Sequence, residues 1–204
     1  MTYDREENAI VQQDECVWIA GISDEGGTGA YVAAAMKQYI QPAIDEVKIL
    51  DDFIQQTVRG TLQQNGTYSV INSAFFYQPN ITAYAYEPSF NWMTWASWNR
   101  TRAYGINRAY NYIWPTTAYW TMYRTARDYP ELEFQADWSW YLMQAYNTVQ
   151  FCFSDTDRCD YATVGLMGET VLHELLEDLR RENMTVEHDA LESNLRMRAE
   201  LWAQ

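Results

Sequence analysis

The sequence predicts an all-α fold of helical hairpins, broken by one short irregular or β-prone insert around residues 60–90. Three observations carry this. Apolar residues recur at helical spacing in several separate stretches. Prolines and glycines fall between those stretches. The one long segment without a helical stripe holds Gly66, Pro79, Pro88 and the β-prone run 68–77. At 204 residues the chain can bury a sizeable core as a single domain.

The elements follow in order. Residues 1–20 are mixed and acidic, and 16–22 turn apolar, as a short strand or an extended entry. The loop Ser23-Asp-Glu-Gly-Gly-Thr-Gly29 opens a helix over 30–40. Pro42 interrupts, and a second helix over 43–58 carries the stripe Ile44, Val47, Leu50, Ile54, Val58. After the insert, a helix is expected over 90–112, with Gly105 as its weak point. Pro115 suits the first position of the next helix, 116–127, because the missing N–H costs nothing there. Tyr129-Pro130 ends it, and another helix spans 135–151. Residues 166–181 bury Val171, Leu172, Leu175, Leu176 and Leu179, opposite a face with Glu169, His173, Glu174, Glu177 and Arg181. Thr185 is placed to cap a final helix with Leu191, Leu195 and Trp202 on one side.

Charge narrows the function. The chain carries 28 acids against 14 bases, a net charge of −14. Such a surface repels phosphate backbones and anionic lipid heads, so neither nucleic acid nor a membrane surface is expected as partner. No apolar run is long enough to span a bilayer. Four Asn-x-Ser/Thr sequons, at Asn65, Asn80, Asn99 and Asn183, favour a secreted glycoprotein. Cys152 and Cys159 bracket a short polar loop and could close a disulfide in an oxidising compartment, or remain two reduced thiols. Cys16 then has no partner within the chain.

Several motifs fail on inspection. His173-Glu174-Leu-Leu-Glu177 begins like a zinc-protease helix, but Glu177 stands where the second His ligand belongs. Asp51-Asp52-Phe-Ile-Gln55 resembles an aspartate-rich box without its last acid. Asp155-x-Asp157-x-x-Asp160 lacks the glycine and the terminal glutamate of a calcium loop. No metal and no cofactor is expected.

Aromatic residues are the larger signal, at 16 %, with nine Trp and sixteen Tyr. Trp92, Trp95 and Trp98 run into Tyr104, Tyr110, Tyr112 and Trp114. These rings occur at too many helical angles to share one buried face. Asn91, Asn99, Arg100, Arg102, Asn107, Arg108 and Asn111 are interleaved with them. Rings stack on the C–H faces of sugars, while Asn, Arg and carboxylates bind hydroxyls, so a carbohydrate ligand fits better than a lipid. A second cluster, Asp137-Trp138-Ser139-Trp140, starts a helix. A third is Asp160-Tyr161, leading to Gly168-Glu169. Asp24 and Glu25 offer two adjacent carboxylates before glycines that leave room for a ligand. The same acids also suit the positive end of a helix.

The segments Ile22-Ser-Asp-Glu-Gly-Gly-Thr-Gly-Ala-Tyr31 and Gly165-Leu-Met-Gly-Glu-Thr170 resemble a largely fungal and bacterial domain family of the six-hairpin glycosidase superfamily. The likeness covers most of residues 15–204. It implies an (α/α)6 toroid, secretion and hydrolysis of a glycosidic bond. About seven helices are fewer than six hairpins need, so the chain is expected to be the C-terminal part of a larger catalytic domain, its partner the rest of its own polypeptide or another chain. Glycoside hydrolysis takes two carboxyl groups. Asp24 or Glu25 is the expected first, and Glu169 or Asp137 the second or a substrate ligand, unless that carboxylate lies outside the chain. Trp92, Trp95, Trp98, Arg102, Asp137, Trp138, Trp140 and Tyr161 are the expected sugar contacts. The alternative is a non-catalytic carbohydrate-binding or structural glycoprotein of the same fold.

Overall fold

A computed structural model describes residues 3–4, 9–10, 22, 27–64, 67–89, 92–93, 97–161 and 164–203. The fold is all-α apart from one two-residue antiparallel pair, β1 (Tyr3–Asp4) and β2 (Ala9–Ile10). The helices are α1 (Thr28–Ile40), α2 (Ile44–Phe53), α3 (Arg100–Ala103), α4 (Tyr110–Asp128), α5 (Trp138–Phe153), α6 (Thr170–Arg181) and α7 (Thr185–Trp202). A π-helical segment, Ile54–Leu62, continues α2.

α1 and α2 form a hairpin at Pro42. Buried Gln38 holds it: its Oε1 accepts the Ala43 N–H at 3.0 Å and its Nε2 donates to Glu46 at 2.7 Å. The expected 43–58 helix is there in its first half. From Ile54 the turns widen, and Gln63 N–H donates to the carbonyl of Val58, five residues back, at 3.0 Å. Ile54, Val58 and Leu62 keep the buried stripe going through the change.

α4 is the central element, packed along α5 and α1. Most of its residues are buried. Pro115 lies inside it rather than at its start, so the expected break at 115 is absent. The helix tolerates the proline because it is enclosed on most sides. Thr117, Thr121 and Thr125 each donate a hydroxyl to the carbonyl one turn back, at 2.7, 2.8 and 2.9 Å.

Much of the aromatic content is core. Tyr112, Tyr119, Tyr123 and Tyr141 are fully buried, and burial pushes all four hydroxyls well above the usual tyrosine range. Each finds an acceptor: Ile106 O, Gln63, Glu182 and Asp51 respectively. The discarded aspartate box is therefore structural, since Asp51 also accepts the Gln135 N–H at 2.7 Å.

The expected helix over 90–112 is not what forms. Its described part contains the short α3, capped by the Asn99 side chain on Arg102 N–H, and the first residues of α4 from Tyr110. Around α3 the backbone runs beside residues 72–77. Asn72 N–H donates to Gly105 O, Ser73 N–H to Ala103 O and Tyr77 N–H to Trp98 O. Gly105 is needed there, since a Cβ would stand 2.8 Å from the Asn72 amide. Of the β-prone insert, an isolated antiparallel bridge, Gln63–Val70, forms.

α6 and α7 make the last hairpin. Asn183, at φ 60°, turns the chain, with Met184 N–H on Leu179 O and Asn183 N–H on Arg180 O. That turn already fixes the start of α7, so Thr185 is its first residue and not a side-chain cap. Cys152 and Cys159 are bonded, with Cα atoms 5.7 Å apart. The bond ties the end of α5 to the loop that leads toward α6.

Candidate functional site

The N-terminal end of α4 gathers chain from four directions. Gly29, in the first turn of α1, lies beside the Trp114 ring, 3.9 Å from where a Cβ would be. Gly168, just before α6, passes so near Ile113 that a Cβ would sit 2.6 Å from its methyl. The glycines of both resembling motifs thus meet adjacent residues of α4. Asn107 and Asp160 join the other two segments: Asn107 Nδ2 donates to the Asp160 carboxylate at 2.6 Å, and Ala109 N–H to Asp160 O at 3.2 Å.

An asparagine frame supports this end. Asn72 donates to Arg102 O and to Asn107 Oδ1, and accepts the Arg108 N–H. Asn111, fully buried, donates to Ile71 O and Asn72 O and accepts from the Arg108 guanidinium at 2.8 Å. The frame aims the cations at rings. Arg102 lies 4.4 Å over Trp98, and Arg108 lies 5.4 Å over Tyr110. Tyr110 in turn meets Tyr161 at 5.4 Å. Tyr161 is 53 % exposed and sits at φ 64°, and Met167 is exposed at φ 60°. Two non-glycine residues in the left-handed region on adjoining loops mark strain held in place by the surroundings. The buried Trp98 indole N–H has no acceptor among the described residues.

Of the residues expected to contact sugar, Trp98, Arg102 and Tyr161 lie at this end. Trp92 joins their flank. It is buried, stacks on Tyr77 at 5.4 Å, and Tyr77 is bonded to the Trp98 backbone. Asp24, Glu25, Trp95 and Asn65 lie outside the described residues.

Glu169 is at this end, but its carboxylate is turned onto its own loop. One oxygen accepts the Leu166 N–H and the other the Gly168 N–H at 3.1 Å. Buried Arg198 of α7 lies close enough to feel its charge. Burial pushes that guanidinium down to about 10, and Glu169 acts against the shift.

Asp137, Trp138 and Trp140 do not reach this end. α5 runs antiparallel to α4, so Phe151 stacks on Tyr112 while Trp138 meets Tyr123, 6.0 Å away. From Ile113 to Tyr123 is about 15 Å of helix. Asp137 is thus at the opposite end from Glu169, too far for the two to act on one bond. Its work is the N-cap of α5: it accepts the Ser139 hydroxyl and the Trp140 N–H, which hold its carboxyl below the usual range. Trp140 lies midway, under Arg59 at 5.4 Å.

Sequence reasoning passed over Asn72, whose only signal is a lone asparagine in an irregular stretch. It also passed over Arg59 and Gln144. Among the described residues, one trio could offer a metal three donors, namely His188, Asp189 and Glu192. His188 bonds Asp189 at 2.9 Å and Glu192 accepts from Arg196 at 2.7 Å.

The sequence matches a family of unknown function, DUF5695, along residues 1–204. The chain belongs to that family. No curated protein and no solved structure matches it. For this DUF5695 member, the residues themselves carry any statement of activity.

Proposed function

We propose that this chain is carbohydrate-active and binds a poly- or oligosaccharide at the N-terminal end of α4. The observation that carries the reading is the group Trp98, Arg102, Arg108, Tyr110 and Tyr161 on its asparagine frame. The exposed Tyr161 ring takes the apolar side of a sugar ring, with Tyr110 behind it, and Arg and Asn groups take hydroxyls. Secretion agrees with the Cys152–Cys159 bond and with the exposed sequons Asn80, Asn99 and Asn183. The resemblance to six-hairpin glycosidases extends the proposal to an (α/α)6 arrangement, with further hairpins from the rest of the polypeptide or another chain.

Glycoside hydrolysis is the finer reading. It is favoured by the approach of Gly29 and Gly168 to one turn of α4. On it, Asp24 or Glu25 supplies the protonated acid. Glu169, engaged by two backbone N–H groups, positions its loop and contacts substrate. The intact protein is screened on plant and fungal polysaccharides, with bound and released sugars both measured. Tyr161→Ala and Arg102→Ala should each weaken binding by roughly five- to thirty-fold, as loss of a stacked ring or a charged hydrogen bond does. Asp24→Asn or Glu25→Gln should stop release while binding persists. Normal release by both carboxylate variants sinks hydrolysis by those residues; no binding of any glycan sinks the whole reading.

A further inference from the structure

A polar cavity of about 390 Å³ is lined by Arg59 and Gly60 of the π segment, by Gln63, Gln64, Thr67 and Tyr68, and by Gln144 of α5. That is within the size range of small-molecule sites. The π segment shapes it. Arg59, Gly60 and Gln63 all line it, and a Cβ at Gly60 would crowd Gln55 O at 3.1 Å. π-Helical turns are rare and recur at functional sites.

The lining sorts into a fixed part and a free part. Gln63 is fully committed: Nε2 donates to Thr148 at 2.9 Å and to Tyr68 O at 3.3 Å, and Oε1 accepts from Tyr119 at 2.7 Å. It is a rigid floor. Gln144 is the opposite. It is 8 % exposed, lines the cavity, and its amide bonds to no described residue. Its amide opens on the cavity, where a molecule in that space can give and accept a hydrogen bond. The Tyr68 hydroxyl is also unengaged among the described residues. Among the described residues, Arg59 is the only charged group in the lining, and its guanidinium is held by the Trp140 ring alone, with no acid paired to it.

We propose that this cavity binds a small polyhydroxylated carboxylate of the hexuronate type. The Arg59 fork takes the carboxylate in a two-point contact. The Gln144 amide and the Tyr68 hydroxyl take ring hydroxyls, the amide acting as donor and acceptor at once. One cation matches one negative charge. A phosphate dianion would be left undercompensated, since the described lining residues include no lysine and no second arginine and the chain's net charge is −14. The site rests on its own residues and stands apart from the proposal for the end of α4.

The intact protein is titrated with glucuronate, galacturonate, glucose and inorganic phosphate. Calorimetry and tryptophan fluorescence report binding, since Trp140 lies beneath Arg59. A uronate should bind at millimolar concentration or tighter, and glucose and phosphate at least ten-fold more weakly. Arg59→Gln should raise the uronate Kd roughly ten- to hundred-fold, the loss expected for a charged hydrogen bond. Arg59→Lys should recover only part of it. Gln144→Leu, close in volume, should raise it several-fold with the fold intact by circular dichroism. Equal binding of glucose, tighter binding of phosphate, no uronate binding at tens of millimolar, or an unchanged Kd in Arg59→Gln would each overturn the proposal.

Discussion

Asp178 is the strongest test of how the bundle is held. It is buried on α6 and faces α4. One carboxylate oxygen accepts the Trp120 indole N–H at 2.8 Å and the Arg124 Nε–H at 2.7 Å; the other lies 3.3 Å from Arg181. Asp178→Ala strands both α4 donors. The buried Trp120 N–H alone costs about 1–3 kcal/mol, and breaking a largely buried ion pair costs about 3–5 kcal/mol in all. Arg124 keeps Glu174 at 3.0 Å, so the lower half of that range is expected. For a chain of this length the melting temperature should fall by roughly 6–16 °C. Asp178→Asn keeps an acceptor for Trp120 but loses the charge, and should fall about half as far. Thermal unfolding by circular dichroism, repeated in high salt, measures both. A shift in the range of an exposed pair, below about 1 kcal/mol, would refute the argument that α6 is anchored here. That anchor matters beyond stability, because α6 carries the Gly168 loop against Ile113.

Two further outcomes are expected. Replacing Cys152 and Cys159 by serine should cost about 2.5 kcal/mol by loop closure across their sequence separation of 7, read as a lower urea midpoint and reproduced in the native protein by reductant. Asp137→Ala should cost about 1 kcal/mol as a lost N-cap. The Asp137 carboxyl is depressed in the fold, so its contribution is complete above the unfolded carboxylate pKa, about 3.9, and fades as pH falls through the lower folded value. The gap between variant and native protein should be level near neutrality and shrink in acid; a gap that widens in acid contradicts the assignment.

What could be read from the sequence depended on how local the cause was. The stripes of α2 and α6 were legible because burial follows spacing directly. The turn at Asn183 was less so, since Thr185 is the more familiar capping residue and only backbone geometry shows that asparagine already closed the helix. Residues 90–112 misled because the backbone at Trp98, Ala103 and Gly105 bonds to the segment 72–77 and not along one helix. Pro115 misled because a proline is a break only where the helix has no tertiary support. Trp98, Arg102 and Tyr161, singled out by composition, do lie near one another at the end of α4. Asp137, Trp138 and Trp140 share that composition but belong to the far end. The pattern of an acid beside rings says that a helix starts, not toward which end it starts, and the antiparallel course of α5 decided that.

The three threonines at 117, 121 and 125 carry a consequence for descent. Each hydroxyl is already satisfied by its own helix and, among the described residues, binds no neighbouring element there. To the packing partners these positions are almost valines. A lineage could trade threonine for valine there, one step at a time, with little change in the fit between helices. Tyr112, Tyr119, Tyr123 and Tyr141 have no such freedom, because their hydroxyls reach across to other segments. Inheritance is loose where polar groups close on their own helix and strict where they bind the chain together.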